Sequence, residues 1–361
     1  MATARLAVAE AGSPFHLSEA WARCWAEAYA AARPVDVAVG GARLRMQLTG
    51  GRFGPLRFPL LTSATNLQTC YFDVDGEVPA DALDTLPDRL LETGAAQVQV
   101  DWLNAESPLL AAARRWGGRV IVEPFAVSPL ADCRGGFEAY LARAGSSVKK
   151  YMRACRRHIL NGPVAFEIVT GGPGLPALVE EMLALEAAGW KGREGTAILS
   201  KPEDARFYRA LAPAAAEAGA LRIALLREEG RLIAYEYCLV SGGSVLAMKV
   251  GYDEARSRLQ PGHMVALMNI RDACADPAIA WYDMLGNGMR VAAYKERFAT
   301  DYRTLYRIRL FSGSPTGRLL HRLYLAKPFA RAARDRIRGR SRATLEPRLQ
   351  NEGTGSLQAK T

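Results

Sequence analysis

The 361-residue chain is short of several things, and each shortage narrows what it can be. No uninterrupted apolar run approaches the roughly 20 residues that cross a bilayer, so no membrane-spanning helix is expected. Between Met1 and Phe15, Glu10 and Pro14 stand where a secretory leader needs an apolar core. Cytoplasmic residence is therefore the expectation. Cysteine is sparse and scattered: Cys24, Cys70, Cys133, Cys155, Cys238 and Cys274 never fall within four residues of one another. That excludes a zinc ribbon and a redox pair, and leaves reduced, small apolar residues on buried faces. The four histidines, His16, His158, His263 and His321, are equally dispersed, so no metal site is expected. No cysteine or serine stands with a histidine in a recognisable nucleophile motif, so no covalent enzyme intermediate is expected.

What is present is ordinary in amount and uneven in place. Hydrophobic residues make up 49% and charged residues 23%, and the length allows two compact domains with their own cores. The net charge of +10 sits in two segments. Residues 318–348 carry ten Lys or Arg against Asp335 and Glu346, and residues 141–160 carry six with no acid, leaving a mildly acidic body. Such segments bind phosphate-bearing partners, whether anionic lipid, a nucleotide-sugar diphosphate or RNA, or are simply solvated. In the second basic segment Leu319, Leu320, Leu323, Leu325, Phe329 and Ile337 accompany the arginines, the composition of an interfacial amphipathic helix.

The first half reads as alternating helix and strand. A helix from Ser18 to Ala32 precedes strands at Val35–Val39 and Ala42–Leu48, joined at Gly40-Gly41. A loop-rich stretch, Gly50 to Asn66, leads to a helix near Ala80–Thr93, a strand Ala96–Trp102, a helix Pro108–Trp116 and a strand Arg119–Val127. The basic segment Phe137–Leu160 has apolar residues at helical spacing, as one helix or two with a break at Gly145, and Asn161-Gly162-Pro163 ends it. The second half repeats the scheme. Strand Val164–Thr170 and helix Leu175–Gly189 precede a helix Pro202–Gly219. Strands Leu221–Arg227, Arg231–Val240 and Ser244–Tyr252 then form a meander. A loop to Gly262, a helix to Ala275, a strand Ile279–Met284, a helix Met289–Ala299 and a strand Tyr302–Phe311 follow. Residues from Ser341 on read as disordered.

Three segments mix aromatic, charged and glycine residues at the ends of these elements, where a scaffold holds its chemistry. The first runs from Leu185 and Glu186 through Trp190-Lys191-Gly192-Arg193 to Thr196. Trp190 there can stack on a ligand while Lys191 and Arg193 bind an anionic group, or it can plug the seam between two domains. Glu186, one turn earlier, can orient Lys191, act as a base, or face solvent. The second is Ala247-Met248-Lys249-Val250-Gly251-Tyr252-Asp253. Lys249 interrupts an apolar strand and must point outward or have a partner, for which Asp283 is the natural choice. The third is Tyr282-Asp283-Met284-Leu285-Gly286-Asn287-Gly288, leading to Tyr294-Lys295-Glu296-Arg297-Phe298.

Taken together these segments resemble the BioF2-like, CelD-type branch of the GNAT acyltransferases, related to the Fem ligases of peptidoglycan cross-bridges. The resemblance covers about residues 15–312 and is most specific over 186–298. It implies mixed α/β sheets in a tandem GNAT fold of two similar domains joined by a helix. The boundaries would be a degenerate N-terminal domain at 1–135, a basic connecting helix at 136–162, and a C-terminal acyltransferase domain at 163–312. A basic amphipathic helix at 313–340 and a tail at 341–361 would follow.

The resemblance also implies an acyl-CoA co-substrate, its diphosphate held at a helix N-terminus by the loop after Tyr252. Arg256, Arg258, Gly262 and His263 are the matching residues. GNAT loops carry Arg or Gln, two residues, Gly, one residue, then Gly or Ala; here three residues separate Arg258 from Gly262. Asp283 is the first candidate for general base and Glu186 the second. Tyr252 and Tyr282 are candidates to protonate the departing thiolate. Lys295 matches a Fem-like lysine that stabilises negative charge, or is one more solvated lysine. Trp190, Lys191, Arg193 and Lys249 would wall the acceptor site.

The expected activity is transfer of an acetyl or related acyl group to an amine or hydroxyl of a sugar, polysaccharide precursor or lipid-linked intermediate, with CelD as the pointer to polysaccharide. Two alternatives stand beside it: a Fem-like ligase drawing on aminoacyl-tRNA, and an idle GNAT-like scaffold recruited to a polysaccharide-synthesis complex at the inner face of the membrane.

Overall fold

Apolar residues at a period of two build strands wherever turn residues bound them, and here every strand joins one sheet. The computed structural model describes residues 14–29, 33–76, 78–79 and 81–337, with side chains to Lys327. The expected disordered tail from Ser341 lies outside the described residues. The strands of the first half are β1 (Arg33–Val39), β2 (Ala42–Phe53), β3 (Leu56–Ser63), β4 (Gln97–Leu103) and β5 (Val120–Asp132). Those of the second are β6 (Val164–Val169), β7 (Leu221–Glu228), β8 (Arg231–Ser241), β9 (Ser244–Tyr252), β10 (Trp281–Asp283) and β11 (Asp301–Phe311). The helices are α1 (Glu19–Tyr29), α2 (Leu86–Leu91), α3 (Pro108–Ala113), α4 (Gly136–Arg143), α5 (Ser146–Cys155) and α6 (Leu175–Ala188). After them come α7 (Trp190–Arg193), α8 (Pro202–Glu217), α9 (Pro261–Ala273), α10 (Ala293–Glu296) and α11 (Pro315–Ile337).

The spatial order is β1-β2-β3-β4-β11-β5-β10-β9-β8-β7-β6. Among the described residues only β3–β4 and β9–β10 are parallel pairs, so the architecture is the mixed α/β expected from the sequence. The last strand, β11, lies between β4 and β5, and β10 joins β5 to β9, so one continuous sheet runs through both halves. One face carries α1, α6 and α8, whose Trp21, Met182, Leu183, Phe207 and Tyr208 share a core. The other carries α4, α5 and α9, with Tyr140, Val148, Cys155, Met264 and Leu267. Leu320 of α11 packs on Phe58 and Phe311.

Several elements depart from the sequence pattern. The stretch expected as a loop over 50–66 holds the end of β2 and all of β3. Gly50, Gly51 and Pro59 hide its alternation, yet they pair in register with β3 and β2. The loop after β9 contains a 3-10 turn, Glu254–Leu259. The helix expected over Met289–Ala299 shrinks to α10. The basic connecting segment breaks at Gly145 and ends in a π turn, Arg156–Leu160; Lys149, Lys150 and Arg153 face solvent while Val148, Met152 and Cys155 are buried.

The ion pair expected between Lys249 and Asp283 does not form. β10 runs beside β9 only from Ser244 to Leu246, where Asp283 stands opposite Leu246. Its carboxylate turns instead toward β5 and β11. Oδ1 accepts from Ser128 Oγ at 2.5 Å and from the Leu285 amide at 2.9 Å. Oδ2 accepts from the Tyr71 hydroxyl and from Arg303 Nη1 at 3.1 Å. Asp283 is fully buried, so this is an ion pair whose rupture leaves an uncompensated charge. Arg303→Met is expected to lower stability by about 3–5 kcal/mol in urea unfolding. An unchanged midpoint would mean that Ser128, Tyr71 and the Leu285 amide suffice to hold the carboxylate.

Candidate active site

A parallel pair of strands that separates part-way leaves backbone groups without partners and opens a gap in the sheet. β9 and β10 do this after Leu246 and Asp283. β10 ends there and the chain turns away at Leu285, which has φ +49°. β9 continues to Tyr252, paired only with β8. A bulge at Met248 interrupts that pairing: Tyr237 faces Lys249 and Cys238 faces Ala247. Bulges re-aim side chains. Here Met248 packs in the core beneath α6 and α8, and the next residue, Lys249, lies on the same side, its Nζ 5.9 Å from the Tyr208 ring centre.

A cavity of about 480 Å³ occupies the gap. Glu186, Trp190, Lys191 and Lys249 line it from the α6/α8 side. Glu236, Gly262, His263, Tyr294, Lys295 and Tyr252 line it from the α9 side. It therefore passes through the sheet rather than lying on one surface.

Three lysines reach the cavity, in three different conditions. Lys191 Nζ donates to Glu186 Oε1 and to the Val250 carbonyl, each at 2.6 Å. Glu186, 3% exposed, also accepts from the Ile198 amide at 2.8 Å through Oε2, so both of its oxygens are engaged. Lys295 Nζ donates to the Met284 carbonyl at 2.6 Å and to that of Leu285. Burial lowers its pKa to about 8, against the opposing pull of Asp283 and Glu236. Lys249 has no hydrogen bond or ion pair among the described residues. Burial lowers its pKa too, with Glu186 opposing.

Glu236, in the middle of β8, was not among the residues singled out above. Its Oε2 accepts from Tyr282 Oη at 2.5 Å and from Asn269 Nδ2 at 3.0 Å, while Oε1 has neither bond. Burial raises its pKa above the ordinary carboxylate value, opposed by the hydrogen bonds from Tyr282 and Asn269. Asn269 is itself fixed by Arg222 Nε at 2.8 Å. The signal was present in the sequence: a carboxylate inside Leu232-Ile233-Ala234-Tyr235-Glu236-Tyr237-Cys238-Leu239 breaks an apolar strand just as Lys249 does.

The first turn of α9 borders the cavity through Pro261, Gly262 and His263. Gly262 lies close enough to Tyr252 that an added Cβ would stand 3.2 Å from its ring. His263 stacks on Tyr151, rings 4.6 Å apart and 12° from parallel. Arg256 pairs with Glu228 at 2.7 Å and Arg258 is exposed; neither lines the cavity. Trp190 is 40% exposed at the rim, its amide donating to Glu254 Oε1 at 2.7 Å. Arg193 pairs with the other oxygen of Glu254 at 2.8 Å and stays outside. Of the residues picked from the sequence, the cavity thus gathers Glu186, Trp190, Lys191, Lys249, Tyr252, Gly262, His263 and Lys295. Asp283, Arg193, Arg256 and Arg258 lie apart from it, and Tyr282 is buried behind Glu236.

A family model described as an acetyltransferase (GNAT) domain matches residues 146–296, from α5 to α10. No curated protein matches the chain. Among solved structures the chain is similar to FemX, with a TM-score of 0.55 and 10% identity, over 86% of this chain and 95% of that one. The C-terminal domain of a candidate lysylphosphatidylglycerol synthetase from Agrobacterium fabrum gives 0.55 and 11%, over 86% and 95%. L-PGS from Bacillus licheniformis gives 0.52 and 13%, over 87% and 98%. At these identities the likeness is one of fold, and over residues 146–296 that fold is the one the GNAT model describes.

The corner between α6 and α7 sets the position of Trp190 and Lys191. It rests on Gly192, where an added Cβ would lie 1.8 Å from the Ala187 carbonyl oxygen. Gly192→Ala is expected to cost about 1–3 kcal/mol of stability, read as a lower thermal midpoint. An unchanged midpoint would mean that this corner gives way freely.

Proposed function

We propose that the protein transfers an acyl group from acyl-CoA to an amine or hydroxyl acceptor by direct attack on the thioester, without a covalent enzyme intermediate. The observation that carries this reading is the cavity that passes through the sheet where β9 and β10 part, with α9 starting at one end. The open edge of β9 beyond Leu246 suits an extended, amide-bearing arm, which would add to the sheet as a strand does. The first turn of α9, with Gly262 and His263, suits the diphosphate, with the Gly262 N–H and the helix dipole turned to it. Arg258 and Arg256, on the preceding turn, would add charge at the mouth. The acceptor would enter from the α6/α8 side, past Trp190.

In this arrangement Glu236 Oε1 takes the proton from the incoming amine or hydroxyl. The acceptor atom bonds to the acyl carbon, the carbon–sulfur bond breaks, and Tyr252 returns a proton to the departing thiolate. Lys295, with two protons already given to carbonyls, has a third to stabilise charge building on the acyl oxygen. Asp283 and Glu186, the bases expected from the sequence, have both oxygens engaged and serve as anchors, Asp283 for the divided strand and Glu186 for Lys191.

The acceptor class, a sugar, polysaccharide precursor or lipid-linked intermediate handled in the cytoplasm, follows the CelD-type resemblance. Contact with an anionic membrane face is supported by α11, where Leu319 and Leu325 are exposed beside Arg318 and Arg322. A second reading, acyl transfer from aminoacyl-tRNA, is favoured by the exposed cations of α5 and the fold likeness to FemX.

Calorimetric titration with acetyl-CoA is expected to show saturable binding, weakened in Arg258→Ala. Absence of binding to acetyl-CoA and longer acyl-CoAs, with tRNA binding that falls steeply with salt, would replace this reading by the second. The pH profile carries a separate expectation. Glu236 must be deprotonated, so activity appears as pH rises above the ordinary carboxylate range; Lys295 must be protonated, so activity is lost as pH rises through about 8. Glu236→Gln is expected to lower kcat by about 10²–10⁴. Lys295→Arg is expected to remove the falling limb; a limb that stays near 8 in that variant belongs to another group.

A further inference from the structure

Among the described residues one ammonium group in the cavity, that of Lys249, has neither a hydrogen bond nor an ion pair. The carboxylates nearest in charge to Lys249 are Glu186 and Asp204. Glu186 is spent on Lys191 and the Ile198 amide. Asp204, 7% exposed, accepts from Tyr29 Oη at 2.6 Å through Oδ1 and from Gln68 Nε2 at 3.0 Å through Oδ2. Gln68 in turn accepts from Tyr208 Oη at 3.0 Å. Both oxygens of each carboxylate are thus engaged elsewhere, and among the described residues Lys249 Nζ meets only the face of Tyr208. An ammonium out of bulk water without an acceptor is costly, and the other two cavity lysines avoid that state by binding carbonyls or a carboxylate.

We propose that the second substrate carries an oxyanion, a carboxylate or a phosphate, and that Lys249 binds it. This rests on the acyl-CoA reading of the same cavity. The phosphates of the first substrate are excluded as the partner by position. They would sit at the start of α9, on the opposite face of the sheet, whereas the Met248 bulge directs Lys249 toward α8. Lys249 is also three residues back along β9 from Tyr252, about 10 Å at strand rise. The acceptor is thus held at its anionic group on one face while its amine or hydroxyl reaches through the gap toward Glu236. Neutral sugars satisfy the hydroxyl requirement but leave Lys249 unpaired; sugar acids, sugar phosphates and amino acids satisfy both.

The test is calorimetry on the full chain saturated with CoA, using inorganic phosphate, glycerol 3-phosphate, D-lactate and neutral glycerol as probes. At least one anionic probe is expected to bind while glycerol does not. Glycerol 3-phosphate or phosphate binding in preference to D-lactate assigns a phosphate, and the reverse a carboxylate. Lys249→Gln is expected to weaken that binding about tenfold or more, the scale of a lost charged hydrogen bond, and to leave CoA affinity unchanged. Lys249→Arg is expected to keep most of it, which separates a charge requirement from misfolding. The proposal is overturned if no anion binds to wild type, if Lys249→Gln binds as wild type does, or if anion and CoA compete. Failure of CoA itself to bind overturns the acyl-CoA reading instead; the same anion titrations on the free protein then still decide whether Lys249 is an oxyanion site.

Discussion

The gap through the sheet exists because a buried carboxylate ends one strand and holds its end in place. Asp283 is the last residue of β10, and its four hydrogen-bond partners come from β5, β11, the segment before β4 and the backbone just beyond β10. That anchorage, together with backbone bonds between β5 and Met284 and Gly288, keeps β10 from continuing beside β9 and closing the sheet. Arg303 makes the burial tolerable by supplying the countercharge from β11. Lys295 and Leu285, which border the gap, take their places from the chain that leaves this anchor. Tyr71 belongs to the first half of the chain, so the geometry of a cavity built from second-half residues depends on a hydroxyl supplied by the first.

Around the gap the charges are arranged in a gradient of commitment. Asp283 accepts four hydrogen bonds, Glu186 has both oxygens engaged, Lys295 keeps one proton and Glu236 one oxygen free, and Lys249 keeps all of its own. Structural ion pairs are recognised by saturation, and groups left with spare valence beside a cavity are the ones placed to meet a ligand. That distinction separates residues of identical type that line one cavity, which composition cannot do.

The order of elements was legible because its signals are local. The three strands β7 to β9 and the helices α6 and α8 carry clear periodicity between glycine turns. β3 was hidden because Pro59 and the Gly50-Gly51 pair opposite it break alternation without breaking the pairing. In the site, Trp190, Lys191, Lys249, Tyr252, Gly262 and Lys295 were legible as odd residues at element ends. The partner of Lys249 was misread because strand adjacency says nothing of where a parallel pair separates. Arg258 followed from its place in the loop and the family resemblance, and that loop winds into a 3-10 turn that leaves it exposed rather than in the cavity lining. Glu236 stands in mid-strand, where no glycine or turn marks it, and its only signal is the break it makes in an apolar run.

The return of β11 into the first half bears on how the chain can be made. β4 and β5 are separated in the sheet by a strand that begins at Asp301, so both present open edges until that strand has left the ribosome. Open edges are templates for pairing with other chains, and contacts of such long sequence separation form late. The first half therefore waits, with its hydrophobic strands exposed, for a partner made roughly 170 residues after β5. The central sheet is complete only once β11 has been made, and protection of the open edges until then is a cost written into the topology.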